Sequence, residues 1–241
     1  MLADGPVLRE ERLMDSPNVH SDARRPLSTS VVVGLLLALF GIPLVGELNF
    51  ATRFGVSTVG AYLVSDLTKW AVVAGLIALV VFWEDRPLTS IGLEVPDGRQ
   101  IAVAIGVGLG TVVLGLLVTG VAVVALGLGQ PDALSAVSRL PLWVKVILVV
   151  TAAITEELVW RSYPIERLTE LTGRVWVGAA VSAVVFLAIH FPAWGLIGAI
   201  PQAVFTLILV GVYVWSRNVV VSIVTHGVIN ALMILVLPVM L

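Results

Sequence analysis

In a chain that otherwise avoids charge, "AITEELVWRS" (153–162) sets Glu156 beside Glu157 and Arg161 one turn further on. Two of the three histidines, His190 and His226, also fall in apolar runs, and Asn230 follows His226 by four residues. A charge at the centre of a bilayer costs about 2.5–3.5 kcal/mol on insertion scales, so each of these groups needs a purpose. A carboxylate beside an imidazole can take a proton from water and turn it into a nucleophile. A second imidazole with an amide supplies donors for the oxyanion of a tetrahedral intermediate. Together they suit hydrolysis of an amide without a covalent intermediate. A thiol or hydroxyl nucleophile fits poorly, because the chain has no Cys and neither Ser162 nor Ser182 has a base at helical spacing.

The spacing divides the labour. Glu157 and Arg161 are i and i+4 with the acid first, the favourable order for a helical ion pair. Glu156 points about 100° away from its neighbour. The expectation is a structural clamp between Glu157 and Arg161, with Glu156 free to face a cavity. His226 and Asn230 share one helix face, as do Phe186 and His190. Gly173 in "ELTGRVW" reads as a turn, and Glu156 and His190 each lie 17 residues from it. An antiparallel hairpin would therefore hold the two level, roughly 25 Å from the turn. His226, 9 residues past Arg217, would lie roughly 13 Å inside the same boundary. Pro164 is expected to kink its helix, and Phe191-Pro192 and Pro201 to interrupt the chain after His190. Such breaks are tolerated where they line a water-filled cavity, or they serve packing alone.

The elements that carry these groups are membrane spans. The 241 residues are 59% hydrophobic and only 12% charged, with a mean hydropathy of +1.05. That excludes an ordinary soluble domain. The absence of Cys excludes disulfides and thiolate metal sites, and no basic run points to nucleic acid. The fold class is all-α, a polytopic transmembrane bundle of about seven spans, near 30–48, 62–83, 101–128, 141–168, 175–191, 199–216 and 219–240. The Gly-rich third span suits close helix contact. Glu47, Asp66 and Lys69 read as span-end groups that snorkel to the interface, and Trp160, Trp194 and Trp215 as packing or interfacial aromatics. Residues 1–29 read as a disordered tail ahead of an uncleaved anchor. The remainder, 30–241, forms one domain without internal repeats. With the N-terminus in the cytosol, ten arginines (9, 12, 24, 25, 86, 99, 161, 167, 174 and 217) fall on or near that side and only Arg53 and Arg139 opposite. The positive-inside bias supports that orientation.

The polar residues also carry a resemblance. "EELVWR" (156–161) matches EExxxR, "FLAIH" (186–190) matches FxxxH and "HGVIN" (226–230) matches HxxxN, in that order and on three spans. The chain resembles the CPBP family of intramembrane glutamic endopeptidases and is similar to the type II CAAX prenyl endopeptidases, with a family core near 141–240. The resemblance implies that Glu156 activates water with help from His190, that His226 and Asn230 form the oxyanion hole, and that Glu157 and Arg161 support them. It implies a catalytic cavity open to the cytosol, an eighth helix in the fold, no cofactor, and a substrate that is a membrane-associated, prenylated or otherwise lipidated protein or peptide. A prokaryotic plasma membrane is the expected setting. Three other readings use the same residues: a zinc protease with Glu156, His190 and His226 as ligands, a non-catalytic transporter or proton relay, and a bacteriocin self-immunity scaffold. Against zinc stand the missing HExxH and the loss of a free base once Glu156 ligates a metal.

Overall fold

The computed structural model describes residues 27–46, 57–127 and 137–237, and every described element is helical. The N-terminal tail, Glu47 and Arg53 lie outside the described residues. Helix α1 is Thr29–Gly46. Helix α2, Thr58–Ala78, starts on Ser57, whose hydroxyl accepts from the Gly60 amide, and continues as a wider π-type turn over Leu79–Trp83. Helix α3 is Gly98–Leu126. The turn chemistry of Pro96-Asp97-Gly98 is a capping box: the Gln100 amide donates to Asp97 Oδ1 at 2.7 Å, and the Asp97 amide to Gln100 Oε1 at 3.0 Å. Helix α4 is Leu142–Glu156, followed by a π-type segment, Glu157–Ser162, and helix α5, Tyr163–Thr172. Gly173 ends α5 at φ 70°, the expected turn. Helix α6 runs over Val175–Ser216, and α7 over Val219–Asn230 with a π-type extension Ala231–Val236.

Among the described residues six stretches are long and apolar enough to cross a membrane: Thr29–Gly46, Thr58–Trp83, Gly98–Ala125, Val175–Pro192, Gly198–Ser216 and Val219–Val236. The α4–α5 helix forms the remaining member of the bundle, its hydropathy lowered by the charged residues it carries.

Helix α6 corrects the reading that prolines break the chain. Pro192 and Pro201 both lie inside it, and the one residue with non-helical backbone is Gly195, at φ 61° and ψ −169°. That combination is open essentially only to glycine. A straight helix of 42 residues would be roughly 63 Å long, twice the hydrocarbon thickness. Instead both of its outer ends return to α5. Gly178 packs on Ile165, while Tyr213 and Arg217 donate to the two oxygens of Glu166. The chain therefore doubles back at Gly195, and the two spans expected here do form.

Arginines and acids tie one pole together. Arg167 donates to Glu84 at 2.6 and 3.0 Å and to the Ser90 carbonyl at 3.0 Å. Arg86 grips both oxygens of Glu170, at 2.6 and 2.7 Å. Tyr163 adds a 2.6 Å bond to Glu84. Gly92, at φ 72°, accepts from the Val219 amide at 2.8 Å and so pins the linker to the start of α7. Below this pole an apolar core joins Ala38, Val72, Leu76, Val159, Trp160 and Phe186.

Close helix approach depends on particular glycines. In α3, a Cβ at Gly108 would come 2.9 Å from Val228 and one at Gly115 2.4 Å from Phe205, whereas Gly106, Gly110 and Gly120 have open space. The Gly-rich face thus packs α3 on α7 and on the second half of α6. At Gly178 a Cβ would meet the Ile165 Cα and carbonyl oxygen at 2.8 Å, and backbone cannot yield as a side chain can. Gly178→Ala is expected to lower stability by about 1–3 kcal/mol, seen as a lower thermal midpoint in detergent, with Gly110→Ala as the near-neutral control.

Candidate active site

The acid pair sits where α4 changes its winding. At Glu157 the helix widens, and the Tyr163 amide bonds to the Leu158 carbonyl, five residues back. Pro164 then has no N–H to offer the Trp160 carbonyl. The Ser182 hydroxyl of α6 donates to that carbonyl instead, and the Ser162 hydroxyl donates to the Ile91 carbonyl. These serines are staples between elements. Every residue from Glu157 to Ser162 is buried, so this stretch of helix is wrapped by protein on all sides.

The expected clamp is present and has a third member. Glu157 Oε1 lies 3.3 Å from Arg161 and 2.7 Å from His226 Nδ1. Glu157 and Arg161 are both fully buried, at 0% exposure. The Arg161 guanidinium also lies 3.9 Å from the centre of the Phe186 ring, a cation–π contact that helps to hold a charge whose nitrogens make no hydrogen bond of good geometry to the described residues. His226 therefore does not stand with Asn230 alone. Its Nδ1 faces a carboxylate, so Nδ1 carries a proton and Nε2 is the nitrogen left for the site. For Nε2 to donate as well, the ring must hold a second proton, and Glu157 is the counter-ion that such a ring requires. Asn230 is half-buried one turn after His226, and its amide makes no hydrogen bond to another described residue.

Glu156 differs from expectation. It is buried, and its Oε1 lies 3.0 Å from Lys69 Nζ on α2. Lys69 is therefore no snorkelling span-end group; it lies well inside the span Thr58–Trp83. Asp66, one turn earlier on α2, is buried as well. The sequence held a signal for both: a lysine, one of two in the chain, three residues after an acid in the apolar run "AYLVSDLTKWAVV" (61–73). It is the same anomaly as the acid pair itself.

His190 completes the set from α6. Its Nδ1 lies 2.8 Å from the Phe186 carbonyl, an acceptor only, so this nitrogen is the protonated one and Nε2 of the neutral ring can accept. The ring packs at 4.1 Å on Phe186 and edge-on at 5.9 Å to Trp160. Trp160 is thus a buried packing aromatic, with its indole N–H directed at the Leu39 carbonyl. Trp160 and Phe186 pack on His190, and Glu157 bonds to His226. Helices α6 and α7 thus bring two imidazoles to the segment of α4 that carries the acid pair, and α2 adds an ammonium. Among the described residues no group of three His, Cys, Asp or Glu side chains is arranged to hold a metal.

Residues 138–232 match the family model described as type II CAAX prenyl endopeptidase Rce1-like. The matched stretch contains Glu156, Glu157, Arg161, His190, His226 and Asn230, and it begins long after Lys69. At the level of that family the activity is proteolysis, in a membrane-embedded helical hydrolase of the CAAX endopeptidase type. Neither the comparison with curated proteins nor that with solved structures returns a match.

Proposed function

We propose that this membrane protein, with its Rce1-like domain, is a glutamic-type endopeptidase that hydrolyses a peptide bond of a membrane-associated substrate without a metal. Glu156 takes a proton from a water, with the Nε2 of His190 as second acceptor. The water oxygen bonds to the carbonyl carbon of the scissile amide. His226, oriented by Glu157, and the free amide of Asn230 donate to the oxyanion. The proton taken from water passes to the amide nitrogen as the C–N bond breaks. This leaves a carboxylic acid and an amine, which exchange one proton to become carboxylate and ammonium, so atoms and charge balance.

The observation that carries this reading is a buried Glu156 in a helix whose neighbouring residues hold both histidines: Trp160 lies 5.9 Å from the His190 ring, and Glu157 lies 2.7 Å from His226 Nδ1. Two contacts favour a metal-free reaction. Lys69 already occupies Glu156 Oε1, and Glu157 occupies His226 Nδ1. A dication beside that ammonium would face like charge.

The arginine-tied pole sets the orientation we infer: Arg86, Arg167 and Arg217 face the cytosol, in the plasma membrane of a prokaryote. A substrate then enters a polar cavity from that side, and a lipidated, CAAX-like protein is the class the family favours. The test is reconstitution of the full chain in liposomes with prenylated and unprenylated membrane peptides, and mass spectrometry of the products. Cleavage that persists in excess chelator is expected. Chelator-sensitive cleavage would overturn the metal-free mechanism, and ion flux with no cleavage of any peptide would overturn the protease reading.

A further inference from the structure

The family domain starts at residue 138, yet one of the closest polar contacts of Glu156 comes from α2. Lys69 Nζ lies 3.0 Å from Glu156 Oε1, with the two side chains only 17% and 9% exposed. An ammonium inside a span is costly and calls for a specific partner. Its surroundings are built to hold it. Asp66, one turn before Lys69, is only 4% exposed. Asp66 and Glu156 therefore flank the ammonium with two acids. The neighbouring Trp70 donates from its indole N–H to the Thr151 hydroxyl of α4 at 3.2 Å, and the Thr155 hydroxyl donates to the Thr151 carbonyl at 2.7 Å. Asp66, Lys69 and Trp70 thus present one face of α2 to the Thr151–Glu156 face of α4.

We propose that Lys69 is a positioning residue for the reaction: it clamps Oε1 of Glu156 so that Oε2 alone is presented to water and to His190. This inference rests on the proposed role of Glu156. It assigns to α2, outside the family domain, a part in completing the site. A carboxylate held at one oxygen cannot rotate away from the water. A carboxylate that loses the clamp samples other rotamers, and a misplacement of about 1 Å can cost on the order of 100-fold in rate. A residue that acts through Glu156 alone changes turnover and leaves substrate affinity unaltered.

The chain has no cysteine, which makes chemical rescue at this residue selective. Lys69→Cys in the full-length protein is expected to lower kcat by about 10–100-fold, with KM within about twofold of wild type. Aminoethylation of the thiol, which restores an ammonium at nearly the lysine length, is expected to return most of the activity. Methylthiolation, which fills space without charge, is expected to return none. Wild-type kcat in unmodified Lys69→Cys, or equal rescue by the two reagents, overturns the inference. If Lys69→Cys does not fold, Lys69→Gln is read in the same assay: a tenfold or greater loss supports the clamp and wild-type kcat overturns it. Glu156→Gln runs alongside. If that variant is active, the functional reading has failed; if it is inactive while Lys69→Cys is fully active, only the clamp has failed.

Discussion

Glu156→Gln is expected to lower the rate of peptide cleavage by about 10²–10⁴-fold, the usual contribution of a positioned general base. The amide has nearly the shape of the carboxylate, but its nitrogen offers no lone pair to accept a proton and its oxygen is a far weaker base. The protein should stay folded, which makes the substitution informative. Removing one member of a buried ion pair ordinarily strands the other at a cost of several kcal/mol. Here the stranded group would be Lys69, and Asp66 one turn away remains as its counter-charge. The expected pattern is a normal thermal midpoint in detergent, normal binding of substrate, and single-turnover cleavage slowed by the stated factor.

The second large effect falls on stability as well as rate. Among the described residues Glu157 is the only acid paired with the fully buried Arg161, and it also holds Nδ1 of His226. Glu157→Gln leaves a guanidinium with the face of Phe186 as its remaining support. Breaking a buried pair in this way is expected to destabilise the protein by about 3–5 kcal/mol. Folded protein that survives should also turn over more slowly, because His226 loses the carboxylate that orients it and balances its charge. Arg161→Gln should destabilise comparably and yet spare more of the turnover in the folded fraction, since the bond between Glu157 and His226 remains. Unfolding midpoints of the two variants, with kcat normalised to folded protein, check both parts. Equal stability of Glu157→Gln and wild type would contradict the clamp.

Much of this was legible before any coordinates. Glu156, Glu157, Arg161, His190, His226 and Asn230 stand out because polar groups are rare and costly in apolar spans, and the i, i+4 spacing of Glu157 and Arg161 fixes their contact within one helix. Partners on different helices are another matter. Lys69 and Glu156 are separated by 87 residues, and no local rule says which face of α2 meets which face of α4. The link between Glu157 and His226 was hidden for the same reason, and the widened winding at 157–162 changes which residues point inward. The break in α6 was misjudged because proline is the louder signal. Within this bundle the helix runs on through Pro192 and Pro201, and reversal falls to Gly195, where backbone freedom is decisive. The Gly-rich α3 was recognisable as a packing helix, but that Gly108 and Gly115 make the close approaches while Gly106, Gly110 and Gly120 do not was hidden.

The central claim is that a carboxylate at residue 156 draws the proton from water. Its most direct test is Glu156→Ala assayed in liposomes with and without formate. The side-chain deletion opens room for a small carboxylate to act in its place. The account predicts no measurable cleavage without formate and a concentration-dependent return of activity with it, absent with chloride. Cleavage by Glu156→Ala at the wild-type rate, with no formate present, would contradict it.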